Sequence, residues 1–388
     1  MQFTKQLINL DAYYNKRGNG GRQRSFVSLS LCTIVLVMAC SASWMLFFSY
    51  LSYDSLDEDN FYNLFSAKQL CQWYFPYARS LLPERKQPLT TPTAPSINAA
   101  IVYLAEFKEE KSVIELTKSL EKLYLHFLKQ NALYPVLIFY EPSDHARIQP
   151  SLVAQLECAV KNLTLSNQSI LRFLEASDFY EIPPGLPPIP QVVSNANMGY
   201  RHMCRFWAYG VFQHPAISAL EYYWRLDTDL FLIRDIKLDP FQWMRSAHLA
   251  YVYAATELDA PEVVTGLWAT TLEYMRRNAM HPRTMRPLAN HVDGLDEVST
   301  MPLQEAVDLM LKAGYNLLIY YNNFEVSRSD IWRSQEYLAY FAALDASGGI
   351  FLTRWGDAPI RTLALHMLDK PKGQWPGLCY FHAGTKAT

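Results

Sequence analysis

Tyr222-Tyr223-Trp224-Arg225-Leu226-Asp227-Thr228-Asp229 is the stretch on which the fold turns. An aromatic run that reads as a strand stops abruptly at two carboxylates two residues apart. A buried strand would carry this rigid Asp-x-Asp to a sheet edge. There it could meet a divalent cation bridging a diphosphate, because hard cations take oxygen ligands. Taken alone, the pattern is weak and fits a solvated turn after a strand better; its neighbours change that reading.

Working outward, short apolar runs alternate with helical spacing. Ala100–Leu104 and Val136–Tyr140 read as strands, the second stopped by Glu141-Pro142. Between them Val113, Leu116, Leu120, Leu123 and Phe127 recur at helical intervals. Residues 182–188, rich in proline, form an extended connector. Met203–Phe212 reads as a helix ending before Pro215, and Leu220–Leu226 and His248–Ala255 as further strands. The alternation predicts an α/β domain with a mixed, largely parallel central sheet. Residues 279–300, with Pro282, Pro287, His281 and His291, break the pattern and are expected to be an inserted or mobile loop with surface histidines. Gly18-Asn19-Gly20-Gly21 is no phosphate loop, since no strand precedes it and no helix pattern follows.

Composition sets the class. Half of the 388 residues are hydrophobic and 14% are aromatic, enough for a large core. A net charge of −2 without a basic face argues against nucleic acid as partner. Residues 25–53 carry no charge and are long enough to span ~30 Å of hydrocarbon. Lys5, Lys16, Arg17, Arg22 and Arg24 precede them; Asp54, Asp57, Glu58 and Asp59 follow. The positive-inside rule then predicts a cytosolic tail over 1–25, an uncleaved signal-anchor over 26–53, a stem over 54–95 and a lumenal domain over 96–388. The rival, a cleaved signal peptide near Ala39-Cys40-Ser41-Ala42, has too long an apolar run. Cys71, Cys158, Cys204 and Cys379 would lie in the oxidising compartment, where four thiols allow three pairings. Asn162-Leu163-Thr164 and Asn167-Gln168-Ser169 are glycosylation sequons, consistent with that side of the membrane.

Three further clusters could carry chemistry. Asn322-Asn323-Phe324-Glu325 follows the apolar Leu317–Tyr321, so Glu325 is expected at a strand end, as a nucleophile or charge stabiliser at an anomeric carbon. A capping or surface glutamate is the plainer alternative. In Arg354-Trp355-Gly356-Asp357-Ala358-Pro359, Gly356 would permit a tight turn with Asp357 at its apex as a proton acceptor, and Trp355 could stack on a sugar. A purely structural Arg–Asp turn fits too. His382, in Tyr380-Phe381-His382, could complete a cation's coordination, and manganese takes nitrogen more readily than magnesium does.

These blocks, in this order behind an N-terminal anchor, resemble the fungal Golgi α-1,2-mannosyltransferase family, glycosyltransferase family 15. The resemblance runs from about Asn98 to His382. It is densest in Met203-Cys204-Arg205-Phe206, Tyr223-Trp224-Arg225, Asp239-Pro240-Phe241, Asn323-Phe324-Glu325, Tyr337–Phe341 and Arg354–Pro359. It implies a GT-A fold, GDP-mannose as donor, Mn2+ on the diphosphate, and transfer to a mannose 2-hydroxyl of a glycan acceptor with retained α-configuration. By the same resemblance Asp227, Asp229 and His382 hold the metal, Glu325 is the proposed nucleophile and Asp357 the proposed base. Arg205, Tyr223, Arg225 and Trp355 become candidates for donor or acceptor binding, and Cys204 and Cys379 for disulfides of open pairing. The implied address is the Golgi membrane, single-pass with the catalytic domain lumenal.

The chain departs from the family at several points. Asp227-Thr228 stands where members have Glu-Pro, residues 279–300 look longer than usual, and the chain stops six residues past His382. These changes bear on acceptor choice and rate while sparing every carboxylate. Two other readings stay beside the α-1,2 transferase. One is transfer of mannose phosphate, or a different linkage, by the same fold. The other is a catalytically weak paralogue that binds glycans or partners a sibling enzyme.

Overall fold

The computed structural model describes residues 97–176, 181–376 and 380–383, all within a unit spanning Ala67–Thr388. Strands β1 (Ala99–Ala105) and β2 (Val136–Tyr140) are unbroken apolar runs, the composition of strands covered on both faces. β3 (Thr164–Leu165) and β4 (Gln168–Ser169) form a small hairpin. Its two turn residues, Ser166 and Asn167, both take positive φ, which the twist of a two-residue turn favours. Then come β5 (Leu171–Glu175), β6 (Tyr222–Leu226), β7 (Leu230–Leu232), β8 (Tyr251–Leu258), β9 (Leu318–Arg328), β10 (Lys372–Gln374) and β11 (Tyr380–His382).

Seven strands make the central sheet, in the order β10-β8-β9-β6-β1-β2-β5. Four pairings are parallel and two, both made by β9, are antiparallel, so the expected mixed and largely parallel sheet is found. From β1 the sheet builds outward through β2 to β5, and β6 then returns to the other side of β1. Such a reversal opens a crevice at the carboxyl ends of the two flanking strands, where α/β sheets bind ligands. Asp227 stands at the carboxyl end of β6.

One face of the sheet packs Trp224 edge-on against Phe127 (5.0 Å between centroids) and Phe324 (5.3 Å). The other packs Tyr223 against Phe212 and buries Trp207, Trp332, Tyr337 and Tyr340. Helix starts follow capping chemistry. Asp239 accepts from the backbone N–H of Phe241 (2.9 Å) and Gln242 (3.2 Å) ahead of the helix Pro240–Ser246, whose first residue is the proline. Its other oxygen takes the Tyr134 hydroxyl at 2.6 Å. The Asp239-Pro240-Phe241 block is thus a helix start.

Two elements shift from expectation. The helix placed over Met203–Phe212 begins earlier, at Met198, because Asn197 caps it; it then loosens into a π-turn over Phe206–Gly210. The strand placed over His248–Ala255 is Tyr251–Leu258, since His248 takes a left-handed φ of 53° and belongs to the turn before it.

Residues 279–300 are also not an open loop. They form two 3-10 turns, Pro282–Leu288 and Leu295–Thr300, that bury Met285, Leu288, Leu295 and Val298. A buried histidine ties this segment to the helix Asp357–Met367. His366 Nδ1 lies 3.0 Å from the Thr284 carbonyl, which can only accept, so Nδ1 carries the proton and Nε2 accepts from the Tyr320 hydroxyl at 2.8 Å. Burial lowers its pKa from 6.5 to about 4, with Lys372 adding to the shift. The unfolded chain therefore binds a proton that the folded one refuses. Stability is full above pH 6.5 and falls by roughly 3 kcal/mol as the pH drops toward 4. Denaturation midpoints of wild type and His366→Gln should converge across that window; parallel curves would remove His366 as the cause.

Among the described residues no helix is long and apolar enough to cross a membrane. The expected tail, anchor and stem lie outside the described residues.

Candidate active site

The chain folds back on itself to assemble the acidic motif. After Asp229 the chain enters β7, and β11 pairs with β7 antiparallel, placing His382 opposite Leu230. The Ala383 N–H donates to the Asp229 carbonyl at 3.0 Å and locks the register. Ligand atoms of Asp227, Asp229 and His382 all lie within 4.8 Å of one another. His382 Nε2 is 3.1 Å from Asp229 Oδ1, and its Nδ1 is 3.3 Å from the Tyr321 hydroxyl. Burial alone would lower the imidazole's pKa. The hydrogen bond and charge of Asp229, with Asp227 and Glu257 behind, outweigh it and hold the pKa above the ordinary value. Burial, aided by Asp229, likewise raises the Asp227 carboxyl, although Arg225 opposes this. Two crowded carboxylates and one imidazole that together favour positive charge fit a divalent cation with mixed oxygen and nitrogen ligands.

Arg225 binds this trio to the next carboxylate. Its Nε donates to Asp227 Oδ1 at 3.1 Å and its Nη1 to Asp357 Oδ2 at 2.5 Å. The guanidinium lies 4.2 Å from the centroid of the Trp207 ring, which the π-turn presents. Burial works against the Arg225 charge, and Asp227, Asp357 and Glu325 more than compensate. Asp357 also accepts from Asn322 Nδ2 at 2.7 Å. It is not the apex of a turn, as expected, but the first residue of the helix Asp357–Met367, where a carboxylate faces the positive helix end.

A bulge in β9 aims these groups. Tyr253 pairs with Glu325 and Ala255 with Tyr321, so residues 322–324 crowd opposite Ala254 alone. The three diverge. Asn322 reaches Asp357, Asn323 takes the Asp227 N–H on its carbonyl and the Tyr380 hydroxyl on its side chain, and Phe324 packs on Trp224.

Glu325 is not at a strand end. It lies within the eleven-residue β9, opposite Arg225, and is closed to solvent. Its Oε1 accepts from the Tyr223 hydroxyl at 2.9 Å and faces Arg361 Nη2 at 3.0 Å; its Oε2 accepts from the Tyr251 hydroxyl at 2.7 Å. Arg361 stacks on Trp332 at 4.0 Å, bonds the Tyr223 hydroxyl and donates to the Trp207 carbonyl at 3.0 Å. In this arrangement both carboxylate oxygens are engaged and the charge is matched, so Glu325 stands here as a buried, paired carboxylate. Arg361 and Tyr251 were missed by the sequence reading. An arginine inside the apolar run Ala358–Met367 is the signal that would have found the first.

Residues 83–387 match the family described as glycolipid 2-alpha-mannosyltransferase. The chain belongs to that family. It is 28% identical to the O-glycoside alpha-1,2-mannosyltransferase omh1 of Schizosaccharomyces pombe over 273 residues, 70% of this chain and 65% of that protein. It is 31% identical to the alpha-1,2 mannosyltransferase KTR1 of Saccharomyces cerevisiae over 196 residues, 50% of this chain and 45% of that one. The chain thus spans less than two thirds of the length of these relatives. Its fold is that of Core-mannan synthase A of Aspergillus fumigatus, solved in a Mn/GDP form. The TM-score is 0.60 at 22% identity, covering 78% of this chain and 82% of that one. The mannosyltransferase Ktr4p of Saccharomyces cerevisiae gives 0.57 at 20% identity over 86% and 82%.

Several family-conferred candidates stand elsewhere. Arg205 is clamped by Asp345, with Nε 2.9 Å and Nη2 2.8 Å from its two oxygens, a bridge between helices. Trp355 is core: its ring fills the space above Gly349, whose missing Cβ would lie 2.2 Å from it, and its Nε1 donates to Thr265 O at 2.8 Å. It is not free to stack on a sugar. The left-handed residue of this block is Arg354, at φ 75°, and Gly356 keeps an ordinary extended φ. Tyr223 and Arg225 do join the cluster. Among the described residues Cys204 is buried and Cys158 exposed, and they are not bonded to each other; Cys71 and Cys379, the other candidates for pairing, lie outside the described residues. Asn162 and Asn167 are both exposed, on the turns flanking β3.

Proposed function

We propose that this protein is a metal-dependent, retaining α-1,2-mannosyltransferase that moves mannose from GDP-mannose to a mannose 2-hydroxyl on N- or O-linked glycans. The observation that carries this is the convergence of Asp227, Asp229 and His382, with Arg225 linking the trio to Asp357. Asp227, Asp229 and His382 would hold Mn2+, as the family and the Mn/GDP form of a related mannosyltransferase support. A divalent cation held there would supply positive charge to a leaving diphosphate. Both bonds to Asp357 fall on Oδ2. Oδ1 is then the oxygen that takes the acceptor hydroxyl's proton. Glu325, shut away beside Arg361, supports attack from the donor's own face, with the Glu325–Arg361 pair fixing the wall behind Arg225 rather than bonding to the sugar.

The test is full-length protein in detergent with GDP-mannose, Mn2+ and α-methyl mannoside. The expected product is an α-1,2-linked dimannoside. A mannose phosphate or another linkage would replace the reading within the same fold. Mannoside binding without any transfer would establish the glycan-binding paralogue instead.

The same proposal places the domain in the Golgi lumen behind one N-terminal helix. Exposure of Asn162 and Asn167 supports it. In sealed microsomes, protease is expected to trim only the N-terminal tail, and glycosidase to lower the apparent mass. A C-terminus digested without detergent would reverse the topology.

A further inference from the structure

We propose that Arg225 is a positioning residue that couples the cation site to the proton-accepting carboxylate. One guanidinium holds both Asp227 and Asp357, so it competes with a cation for Asp227, and Asp357 sets how hard it competes. The inference rests on the metal and base roles given above.

The geometry allows little slack. Arg225 is 3% exposed, lies in a central strand opposite Glu325, and has its plane fixed over Trp207. A guanidinium is rigid, forked and permanently charged, so its interaction must be divided between the partners present. The division is uneven: 2.5 Å to Asp357 against 3.1 Å to Asp227. Asp357 is the more buried of the two, with 7% side-chain exposure against 29%. With Asp357 charged, the guanidinium is drawn to it and Asp227 is left for a cation. With Asp357 neutral, the guanidinium, already bonded to Asp227 through Nε, gives more of its charge to that carboxylate at a cation's expense. Linkage makes the effect reciprocal: whatever Asp357 does to cation affinity, the cation does to the hold on Asp357.

This orders the reaction. In transfer the acceptor O–H breaks and its proton goes to Asp357. The oxygen's electron pair forms the bond to mannose C1, and the C1–O bond breaks toward GDP. Asp357 is then neutral, Arg225 is released toward Asp227, and the cation with its GDP is held less tightly after the step than before it.

The test needs no turnover. Mn2+ alone is titrated by calorimetry into full-length wild type, Asp357→Asn, Arg225→Gln and the double variant, each checked for an unchanged melting curve. We expect Asp357→Asn, which removes no ligand, to weaken Mn2+ binding by about five- to tenfold, within the usual range of site coupling. Arg225→Gln is expected to bind Mn2+ as tightly as wild type or more so, while its transfer rate falls. In the double variant the Asp357→Asn loss should shrink to less than about twofold. A simple through-space effect of Asp357 predicts the opposite, a loss that persists without Arg225, and that result overturns the proposal. If Arg225→Gln does not fold, Arg225→Lys replaces it, since an ammonium reaches one carboxylate and should also reduce the coupling. Wild type that binds no Mn2+ sinks the metal reading and this inference together. Binding without coupling sinks this inference alone.

Discussion

Asp229→Ala is expected to raise the Mn2+ dissociation constant by about a hundredfold or more and to abolish the metal dependence of GDP binding. Groups one shell removed from a metal typically cost 10–100-fold on mutation, and a direct ligand should cost at least as much. The loss should be local. Asp229 is part-exposed on a turn, and the bond that holds β11 uses its backbone carbonyl, which alanine keeps. Circular dichroism should therefore be unchanged. Asp227→Glu, by contrast, restores the side chain expected for the family and should bind Mn2+ within severalfold of wild type. GDP binding that is indifferent to chelator would falsify the cation site.

Glu325→Gln is expected to cost about 3–5 kcal/mol of stability, read as a lower denaturant midpoint, because it leaves the Arg361 charge buried without its partner. The amide would also point donors at the Tyr223 or Tyr251 hydroxyl, which now donate to the carboxylate. Replacing the pair together, Glu325→Met with Arg361→Met, should recover most of that loss, since buried ion pairs exchanged for apolar residues are often neutral. The two roles considered for Glu325 separate here. A nucleophile would in addition remove at least about two orders of magnitude of turnover from the protein that stays folded. A structural counter-charge moves the midpoint first. A stable but inactive Glu325→Gln would return the residue to the chemistry.

The contrast between these carboxylates shows what a sequence can carry. Asp227-Thr228-Asp229 was legible because a strand pattern stops at it, and the strand does end there. The β1, β2 and β6 strands and the helix after β1 were legible for the same reason: their apolar periodicity is local. Glu325 was misplaced because two asparagines interrupt the apolar run. A bulge absorbs them without ending the strand, and what makes it tolerable is the partner strand β8, distant in sequence. Trp355 was misread because an aromatic residue beside a turn looks the same whether it faces a cleft or fills the gap over a glycine. Arg361 escaped because its partners come from β6, β8, β9, the π-turn and the turn that carries Trp332, places that only the fold brings together. Arg225 was singled out, yet its double attachment depends on Asp357, 132 residues downstream.

The strand β11 gives the site an order of assembly. It meets the rest of the described structure through β7 and a few side chains, whereas the seven-stranded sheet closes without it. A ribosome that has reached Gln374 has made every strand of that sheet and two of the three candidate ligands, but not His382. Contacts so distant in sequence form late, because the loop must close before the pairing rewards it. The hydrogen bonding of that sheet is therefore complete without the pairing that brings His382 to the two carboxylates. A short peptide carrying residues 380–383, supplied separately, becomes a natural piece from which to rebuild the site in two parts.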